Sequence, residues 1–491
     1  MSYPGMKDLK LKESVIFERS REGRRGYSLP EEDLKGAENI LPAELRRDDL
    51  DLPELSEVDV VRHYTRLSTY NYSLDHGFYP LGSCTMKYNP KINEKLVRNP
   101  QFTELHPETP APYAQGTLKI MFEMQRMLAE IGGFAACTLN PAAGAHGEYT
   151  GIGIIRSYFD KMGDKKRKKI IIPDSAHGTN PASCALNGFE VVVLQSDEHG
   201  KVNLETLKSL LTDEVAGIML TNPNTLGVFE SDILAITKMV HDAGGLVYGD
   251  GANMNALLGV ARPGDMGIDV LHYNLHKTFS TPHGGGGPGA GPVGVCEKLV
   301  EFLPNPFVVL KDGLYTFNDS DNSMGRVRSF YGNMGVTLKA FIYILEYGKE
   351  HLGETAKNAV LNANYIKACL RDYYHLKYKS DTLHEVVFDD SEMPNHITTM
   401  DIAKALIDRG YHPPTVYFPL IVHGALMIEP TESESKETLD EFIEAMIDIA
   451  ETAKTNPENI LNAPLNTAIS RPDETLAARK PVLKWTRGEQ V

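Results

Sequence analysis

Short apolar segments alternate with amphipathic segments between residues 168 and 275, and this alternation constrains the fold more than any other feature of the sequence. The apolar segments, which we predict to be buried strands, span residues 168–173, 191–194, 216–220, 246–248 and 270–275. Helical periods at 204–211 and 233–243 separate the later ones. Continuous apolar strands joined by helices are typical of a mostly parallel sheet covered on both faces. The predicted fold class is therefore α/β.

The pattern changes after residue 336, where a long helical segment leads into a mixture of helices and strands. Helices are predicted at 337–352, 399–409 and 434–452, and strands at 385–388 and 425–428. Thr431 and Glu434 have capping-box spacing and are predicted to begin the last helix. A chain of 491 residues is too long for one simple core. We therefore predict an N-terminal arm (1–75), a large domain (76–335), a smaller C-terminal α+β domain (336–453) and a C-terminal tail (454–491).

Charge and cysteine content exclude several classes of protein. The formal net charge is −16, whereas nucleic-acid binders need a basic surface that neutralises phosphates. The five cysteines are scattered without a CxxC pair, so we predict free thiols and no metal site. The N-terminus lacks the apolar core of a signal peptide, and no segment has the roughly 20 apolar residues of a membrane helix. These features predict a cytoplasmic protein that binds neither nucleic acid nor membrane.

Four polar side chains follow predicted strands, at the edge of an α/β sheet where ligands bind. They are His177, Asn222, Asp250 and Lys277. Each alone has an ordinary explanation: a structural loop histidine, a turn-forming asparagine, a helix cap and a solvated charge. Together they match the needs of pyridoxal 5′-phosphate (PLP), which are a lysine amine for an imine, a carboxylate beside the pyridine nitrogen and a group stacked on the ring. We therefore predict a PLP site with Lys277, Asp250 and His177 in these three roles.

A loop of small residues, 140–148, precedes a helix that is predicted to begin at about Tyr149. Gly144 and Ala145, followed by His146, allow the backbone to approach a phosphate, and a helix N-terminus offers free N–H groups. A plain glycine- and alanine-rich turn is the alternative. A second run of small residues, 284–289, lacks the spacing of nucleotide-binding loops. We interpret that run as a mobile or closely approached backbone segment that lines the site.

A set of motifs, in one order along the chain, resembles those of a known family. They are YPLGSCTMKYNP (79–90), NPAAGAHGEYTG, PDSAHGTNPAS, TNPNTLGVFE, DGANMNA, NLHKTFSTPHGGGGPG, GRVRSFYGNMG (325–335) and MIEPTESE (427–434). The set resembles the P-protein family of the glycine cleavage system, and more closely the second subunit of its two-subunit form. The resemblance extends from about His63 into the C-terminal tail.

The resemblance implies PLP fold type I, as in aspartate aminotransferases. Lys277 matches the lysine that binds the cofactor covalently, Asp250 the partner of the pyridine nitrogen, and His177 the residue stacked on the ring. The segment Gly144-Ala145-His146 matches the phosphate site. These matches agree with the roles that the residues themselves suggest.

The implied activity is that of an aminomethyl-transferring glycine dehydrogenase, an oxidoreductase of glycine catabolism. Such an enzyme decarboxylates glycine and transfers the aminomethyl group to the lipoyl arm of H-protein. The resemblance also implies a homologous partner chain, subunit 1, in a two-by-two heterotetramer. Glycine, subunit 1 and lipoyl H-protein are therefore the expected partners.

Further contacts are expected around this site. By position, Asn222 is expected to contact the cofactor hydroxyl and Thr278 to donate a hydrogen bond to the phosphate. In the segment 79–90, Ser83, Thr85 and Lys87 are candidates for polar contacts in a channel that admits the lipoyl arm. A structural loop at a subunit interface is the alternative interpretation of that segment.

Two other kinds of function remain open at this point. The first is another fold-type-I PLP enzyme, such as an aromatic or glutamate decarboxylase or a cysteine desulfurase. A desulfurase needs a catalytic cysteine on a mobile loop, whereas Cys84 is interpreted as a small packed thiol. The second is a non-catalytic scaffold subunit, against which the presence of Lys277 argues.

Overall fold

The computed structural model describes residues 13–28, 30–31, 41–47, 50–284, 289–467 and 470–486. The chain divides into two compact units, one formed by Met1–His76 with Asn466–Val491 and the other by Gly77–Leu465. Among the described residues, every helix is too short or too polar to cross a lipid bilayer.

The first unit contains α1 (Glu57–Ser68) and α13 (Glu474–Arg479). Helix α1 begins with a capping box, which satisfies backbone N–H groups of its first turn. The buried Glu13 carboxylate accepts a 2.5 Å hydrogen bond from Arg66 Nε and lies 3.0 Å from His63 Nδ1. These contacts attach the segment that precedes α1 to the face of that helix.

The second unit is built around a seven-stranded sheet with the order β1-β7-β6-β5-β4-β2-β3. The strands are β1 (Ala136–Thr138), β2 (Lys169–Pro173), β3 (Glu190–Leu194), β4 (Val215–Thr221), β5 (Leu246–Gly251), β6 (Val270–Tyr273) and β7 (Val293–Val295). Strands β2 to β6 pair in parallel, whereas β7 is antiparallel to both β1 and β6. The predicted α/β class with a mostly parallel sheet is confirmed.

Helices pack against both faces of this sheet. They are α4 (Gln115–Gly132), α5 (Gly144–Lys161), α6 (Thr179–Leu186), α7 (Leu204–Leu210) and α8 (Ile233–Asp242), preceded by the short α2 (Lys91–Val97) and α3 (Pro100–Thr103). Successive strand residues point to opposite faces. Ile171 and Ile218 therefore join the core shared with α4 and α8, whereas Ile170 and Met219 join the core shared with α5 and α6. Burial on both faces explains why the central strands β4 and β5 consist mostly of apolar residues and glycine.

A second, antiparallel sheet has the order β10-β12-β11. Its strands are β10 (Val386–Asp389), β11 (Thr415–Val416) and β12 (Ala425–Ile428), and they follow a hairpin of β8 (Phe307–Lys311) and β9 (Leu314–Asn318). The accompanying helices are α9 (Met334–Leu370), α10 (Thr399–Asp408), α11 (Lys436–Thr455) and α12 (Pro457–Leu461). One apolar core, which includes Phe388, Leu406 and Phe442, joins this sheet to the helices.

Several predicted boundaries differ from the structure. Helix α9 does not end near residue 352 but extends to Leu370. Gly348, at φ 62°, interrupts it with a non-helical conformation, and helical structure resumes after this residue. The predicted capping box of α11 is wrong, since the helix is capped by Ser435, whose side chain accepts a hydrogen bond from the Thr438 N–H. Thr431 instead has φ 62°, and its hydroxyl lies 2.9 Å from that of Ser433. The division of the chain into four segments stays a prediction.

Candidate functional site

The register of the parallel sheet places three polar positions side by side at its carboxyl edge. Thr221 of β4 is opposite Asp250 of β5, which is in turn opposite His272 of β6. Lys277 follows β6 by four residues, in the turn that leaves the strand. The edge where ligands bind in α/β sheets therefore carries a carboxylate, an imidazole and an amine.

Asp250 is 4% exposed, and its two carboxylate oxygens are both engaged. Oδ1 accepts a hydrogen bond from the Ala252 N–H and lies 3.4 Å from His272 Nε2, and Oδ2 accepts from Asn180 Nδ2. Burial acts to raise the pKa of Asp250, but the His272 ring, the Ala252 N–H and the Lys277 amine together hold it below the usual value. The buried carboxylate is therefore ionised at neutral pH.

A second buried carboxyl, Glu148 on α5, lies beside Asp250. One atom each of Glu148, Asp250 and His272 lies within 4.8 Å of the others. Burial, and then the charge of Asp250, raises the pKa of Glu148 to about 8. Its Oε1 accepts a 2.8 Å hydrogen bond from Thr179 Oγ1. The two carboxyls thus have different charges at neutral pH, with a proton on Glu148 and none on Asp250.

His177 lies in the connection between β2 and α6, and its side chain is exposed. Its Nδ1 is 3.0 Å from Thr179 Oγ1, and its ring meets that of Phe418 edge to face at 5.5 Å. Partial desolvation lowers the pKa of His177, while the Asp250 carboxylate opposes the shift and Lys277 adds to it. A neutral imidazole, held by Thr179 and indirectly by Glu148, therefore lies within electrostatic reach of the carboxylate and the amine.

The amine of Lys277 is half-buried and donates a 2.8 Å hydrogen bond to the backbone carbonyl of Ser83. Ser83 has φ 61°, in the left-handed region that few non-glycine residues adopt. The amine is therefore held against an unusual backbone turn from a distant part of the chain.

The predicted phosphate loop contains the start of α5 itself. The helix begins at Gly144, five residues earlier than predicted, so Gly144, Ala145 and His146 form its first turn. A Cβ at Gly144 would lie 2.5 Å from Asn274 Oδ1, so the backbone is closely approached there. His146 Nδ1 accepts a hydrogen bond from the Ala142 N–H, and the first turn of an 18-residue helix leaves N–H groups free for an anion.

Two further side-chain donors, one in the turn after β6 and one in the loop before α9, have no partner among the described residues. They are Thr278 Oγ1, which is fully buried, and Arg328 Nη1. Burial, with the Arg328 charge second, lowers the pKa of His146, which indicates that this guanidinium acts on the first turn of α5. Unpaired donors, free N–H groups and a positive charge fit the oxygens of a phosphate group. With ionised Asp250 and the Lys277 amine, the residues present fit PLP.

Asn222 is held differently from the other predicted residues. Its Oδ1 accepts a hydrogen bond from the Glu230 N–H, whereas its Nδ2 is buried without a partner among the described residues. The free amide leaves one donor for a ligand, and the contact to the cofactor hydroxyl stays a prediction.

Thr85 and Lys87 are engaged in buried polar contacts. Thr85 Oγ1 donates to Glu429 Oε1 at 2.6 Å, and Lys87 Nζ donates to Asn255 Oδ1 and to Glu432 Oε1 at 2.9 and 2.7 Å. Lys87 is 2% exposed. The channel role of Ser83, Thr85 and Lys87 stays a prediction, and these contacts show that two of the side chains also tie the segment 79–90 to other elements.

The glycine-rich run after Lys277 is described only at its ends. Residues 285–288 lie outside the described part of the chain. Gly289 has φ 69°, and a Cβ there would lie 2.4 Å from His276 Nδ1. A close backbone approach is therefore present at the end of the run, while the predicted lining of the site lies mostly outside the described residues.

Sequence reasoning missed the titratable residues that lie away from strand ends. Glu148 is one turn inside α5, Arg328 is in the loop before α9, and His272 is inside β6. A histidine within the apolar strand VLHY and a glutamate four positions into a helix that faces the sheet were the available signals. Their partners come from other elements, so neither signal alone indicates a function.

Comparisons with known proteins agree with this geometry. The family model described as "Glycine cleavage system P-protein" matches residues 31–313, and the model "Glycine dehydrogenase, C-terminal domain" matches residues 355–469. A protein of Caldanaerobacter subterraneus named "Probable glycine dehydrogenase (decarboxylating) subunit 2" is 58% identical over 485 residues, which cover 98% of this chain and 100% of that protein. A protein of the same name from Alkaliphilus oremlandii is 56% identical over 96% of this chain and 98% of its own length.

Solved structures with similar folds share less sequence. A glycine decarboxylase (P-protein) of the glycine cleavage system, solved with an inhibitor, has a TM-score of 0.71 at 21% identity and covers 83% of this chain and 93% of its own. A NifS-like protein has a TM-score of 0.59 at 16% identity and covers 76% of this chain and 99% of its own. These likenesses confirm the predicted PLP fold type I. From the family models and the full-length relatives, the chain belongs to the P-protein family of the glycine cleavage system, among the subunit 2 proteins of its two-subunit form.

Proposed function

We propose that this chain is the PLP-dependent catalytic subunit of a two-subunit glycine decarboxylase. Its substrates are glycine and the lipoyl group of H-protein, and its products are CO2 and an aminomethyl group carried by that lipoyl arm. The observation that carries the proposal is the position of Asp250. Its buried carboxylate lies at the end of β5, and Lys277 follows the neighbouring strand, β6. Glycine is proposed as the substrate because the full-length relatives are named as probable glycine dehydrogenases.

The residues that would hold the cofactor come from four segments of the chain. Lys277 supplies the amine for covalent attachment, and Asp250 supplies the carboxylate for the pyridine nitrogen. His177 is the residue proposed to stack on the ring, and the first turn of α5, Gly144 to His146, would bind the phosphate. Three further residues would support these contacts. Thr278 and Arg328 would bind the phosphate, and Asn222 would bind the cofactor hydroxyl.

When bound, PLP supplies an electron sink for the electron pair left on the α-carbon as CO2 departs. Asp250 supports that chemistry because its charge, fixed in a buried position, favours a protonated ring nitrogen. Thr179 contacts the imidazole of His177 and is itself bound to Glu148. These contacts limit how the imidazole can rotate. Protonated Glu148 adds no second negative charge beside Asp250, which would otherwise raise the pKa of that carboxyl.

Transfer to the carrier needs access for a long arm. As part of this proposal, Ser83, Thr85 and Lys87 line the wall of that path. The chain also assembles with subunit 1 in a heterotetramer. Aminomethyl transfer opens the lipoyl disulfide, so the arm is reduced while the glycine carbon is oxidised. A cytoplasmic location is part of the same proposal.

Covalent trapping tests the proposed function directly. Borohydride reduction of the PLP-loaded chain, followed by peptide mapping, is expected to label Lys277 and no other lysine. The Lys277→Ala variant is expected to lose the label and to reduce glycine-dependent CO2 exchange at least about 1,000-fold. Lys298→Ala is the matched control, because the Lys298 amine also forms a polar contact with a buried group of the same unit, the Asp269 carboxylate, outside the proposed site. A label on another peptide, or none, contradicts the proposal.

The scaffold alternative gives a different result in the same experiment. A scaffold chain takes up no PLP, remains colourless and still increases the activity of its partner subunit. Carboxyl-labelled glycine tested against other amino acids separates a glycine decarboxylase from decarboxylases of larger substrates.

A further inference from the structure

Two glutamates of the smaller sheet form a buried pair that the proposed chemistry does not use. Glu385 immediately precedes β10 and Glu429 immediately follows β12, and the register of the two strands places them opposite each other. Both residues are 0% exposed. One carboxylate oxygen of each, with one ring nitrogen of His384, lies within 4.8 Å of the others. A pair of acids this deep in a protein requires an explanation.

Both carboxyl groups bind the same short turn. Glu385 Oε2 accepts a 2.8 Å hydrogen bond from the Ser83 N–H, and Glu429 Oε2 accepts one of 2.9 Å from the Thr85 N–H. Ser83 and Thr85 have φ values of 61° and 49°, so both lie in the left-handed region. Non-glycine residues remain in this region only where their surroundings hold the backbone there. The two glutamates are therefore the groups that hold the turn 83–85 in this conformation.

The turn is in direct contact with the amine of the site. The Ser83 carbonyl accepts the 2.8 Å hydrogen bond from Lys277 Nζ, while the Ser83 N–H is bound by Glu385. A single residue thus links the acid pair to the ε-amine, although the pair itself contacts neither the amine nor the proposed cofactor residues. Any movement of the turn would move the acceptor of Lys277.

The pair does not carry two charges at neutral pH. Burial, followed by the charge of Glu429, raises the pKa of Glu385 far above its usual value. Burial raises the pKa of Glu429 to about 7, against hydrogen bonds from Thr85 and the charges of Lys277 and Lys87. Two carboxylates so close in a buried site do not both ionise.

The remaining titratable neighbours are neutral. Burial lowers the pKa of His384 to about 3, and burial raises the pKa of the Cys84 thiol. Neither group supplies a charge near pH 7. Among the described residues, the positive charge of Lys277 acts on both glutamates and that of Lys87 on Glu429.

We propose that Glu385 and Glu429 act as one unit, carrying at most one negative charge, that positions the Ser83–Thr85 turn and, through it, the ε-amine of Lys277. They are positioning residues, because neither touches the reacting atoms. The inference rests on the proposed function only in taking Lys277 as the cofactor-binding lysine.

Hydrogen exchange of the cofactor-free chain tests whether the two glutamates hold the turn 83–85. Exchange of the Ser83 and Thr85 amides is expected to be about tenfold faster in Glu429→Ala than in wild type, because one acceptor is lost. Glu230→Ala is the matched control, since Glu230 is also buried and binds a backbone N–H, that of Val202. The control should leave exchange at 83–85 unchanged. An unchanged rate in Glu429→Ala overturns the proposal.

A pH titration of the absorbance of the bound cofactor, without glycine, tests the charge. Removing the negative charge near the Lys277 nitrogen destabilises its protonated form. The Glu385→Gln/Glu429→Gln variant is therefore expected to lower the apparent pKa of the absorbance change by about one unit. Each single glutamine variant leaves one carboxyl to carry the charge and should shift the apparent pKa less. Glu230→Gln should not shift it.

Two outcomes overturn the shared charge. One is a double variant with an unshifted titration, and the other is a single variant whose shift equals that of the double variant. If the double variant does not fold, the single variants and the exchange measurement still decide. Both readouts omit glycine and the carrier, so a wrong substrate assignment leaves them unaffected, whereas absence of cofactor binding at Lys277 contradicts the proposed function instead.

Discussion

At the scale of residues, the environment decides what each buried carboxyl does. Asp250 and Glu148 lie together, yet the pKa of Asp250 is held below its usual value and that of Glu148 is raised to about 8. Burial acts to raise the pKa of both carboxyls. At Asp250 it is outweighed by His272, a backbone N–H and Lys277, whereas at Glu148 the Asp250 charge adds to it. A pair of titratable groups with separated pKa values is typical of an active site.

Asp250→Asn keeps the shape of the side chain and removes its charge. Cofactor attachment at Lys277 is expected to persist, while glycine-dependent CO2 exchange falls by about 100-fold or more because the ring nitrogen loses its anionic partner. Borohydride mapping and isotope exchange measure the two effects. Asp269→Asn is the matched control, since Asp269 is also buried and pairs with a histidine, His241, outside the site. Equal losses in both variants would contradict this role of Asp250.

The raised pKa of Glu148 predicts how stability changes with pH. Between the ordinary pKa of 4.5 and the folded value of about 8, the folded chain binds more protons than the unfolded chain. Stability contributed by Glu148 is therefore lost as pH rises through this window. The Glu148→Gln variant does not titrate, so its stability relative to wild type should increase from pH 5 to 8 by at most about 1.4 kcal/mol per pH unit.

Thermal unfolding of the cofactor-free chains measures this difference. Asp213→Asn serves as the control because the Asp213 carboxyl is exposed. Unfolding midpoints of Glu148→Gln and wild type that change in parallel with pH would show that Glu148 is ionised in the fold.

At the scale of elements, α5 is the helix that links the sheet to the proposed phosphate site. Its interior side chains pack on the sheet, and its first turn lies at the carboxyl edge, where Gly144 meets Asn274. The sequence predicted a helix here but placed its start at about Tyr149, because glycine and alanine in succession also form plain loops. Tertiary packing decided the boundary, since Gly147 and Gly151 approach His272 and Tyr248 closely and no larger residue fits.

Gly144→Ala tests this close approach. The added Cβ would lie 2.5 Å from Asn274 Oδ1, so the first turn or the Asn274 amide must move. We expect PLP affinity to fall about tenfold, as measured by fluorescence titration. Gly116→Ala is the matched control: Gly116 is in the first turn of α4, also 18 residues long, and a Cβ there meets nothing within 4 Å. Equal affinities of both variants would remove α5 from the phosphate site.

At the scale of the whole molecule, the first unit exposes many large apolar side chains. Tyr27, Leu45, Leu52, Val61 and Tyr64 are all more than half exposed. Apolar side chains exposed in such number within one small unit are available for contact with another chain. The names of the relatives, which include "subunit 2", agree with assembly with another chain.

Addition of the partner subunit is therefore expected to change both activity and accessibility. Glycine-dependent CO2 exchange should be low for the isolated chain and should rise strongly on mixing, while hydrogen exchange in α1 should slow. Full activity without the partner, or unchanged exchange in α1 after mixing, would contradict a role for this surface in assembly.

The sequence by itself determined the five parallel strands β2 to β6 and the helices α7 and α8 between the later ones. Period and apolar content are local properties, so β2 to β6 were predicted within one or two residues at most ends. Lys277, Asp250 and His177 were proposed as site residues because parallel strands bring their carboxyl ends to one edge. That reasoning needed no tertiary contact.

Only the tertiary structure decided which further side chains join them and with what charge. Glu148, His272 and the pair Glu385 and Glu429 come from separate elements, and the contact from Ser83 to Glu385 spans 302 positions. Their pKa values depend on burial and on neighbours brought together by folding, which no local pattern encodes. The chemistry of single positions was therefore readable from the sequence, whereas the electrostatics of the site arose from packing.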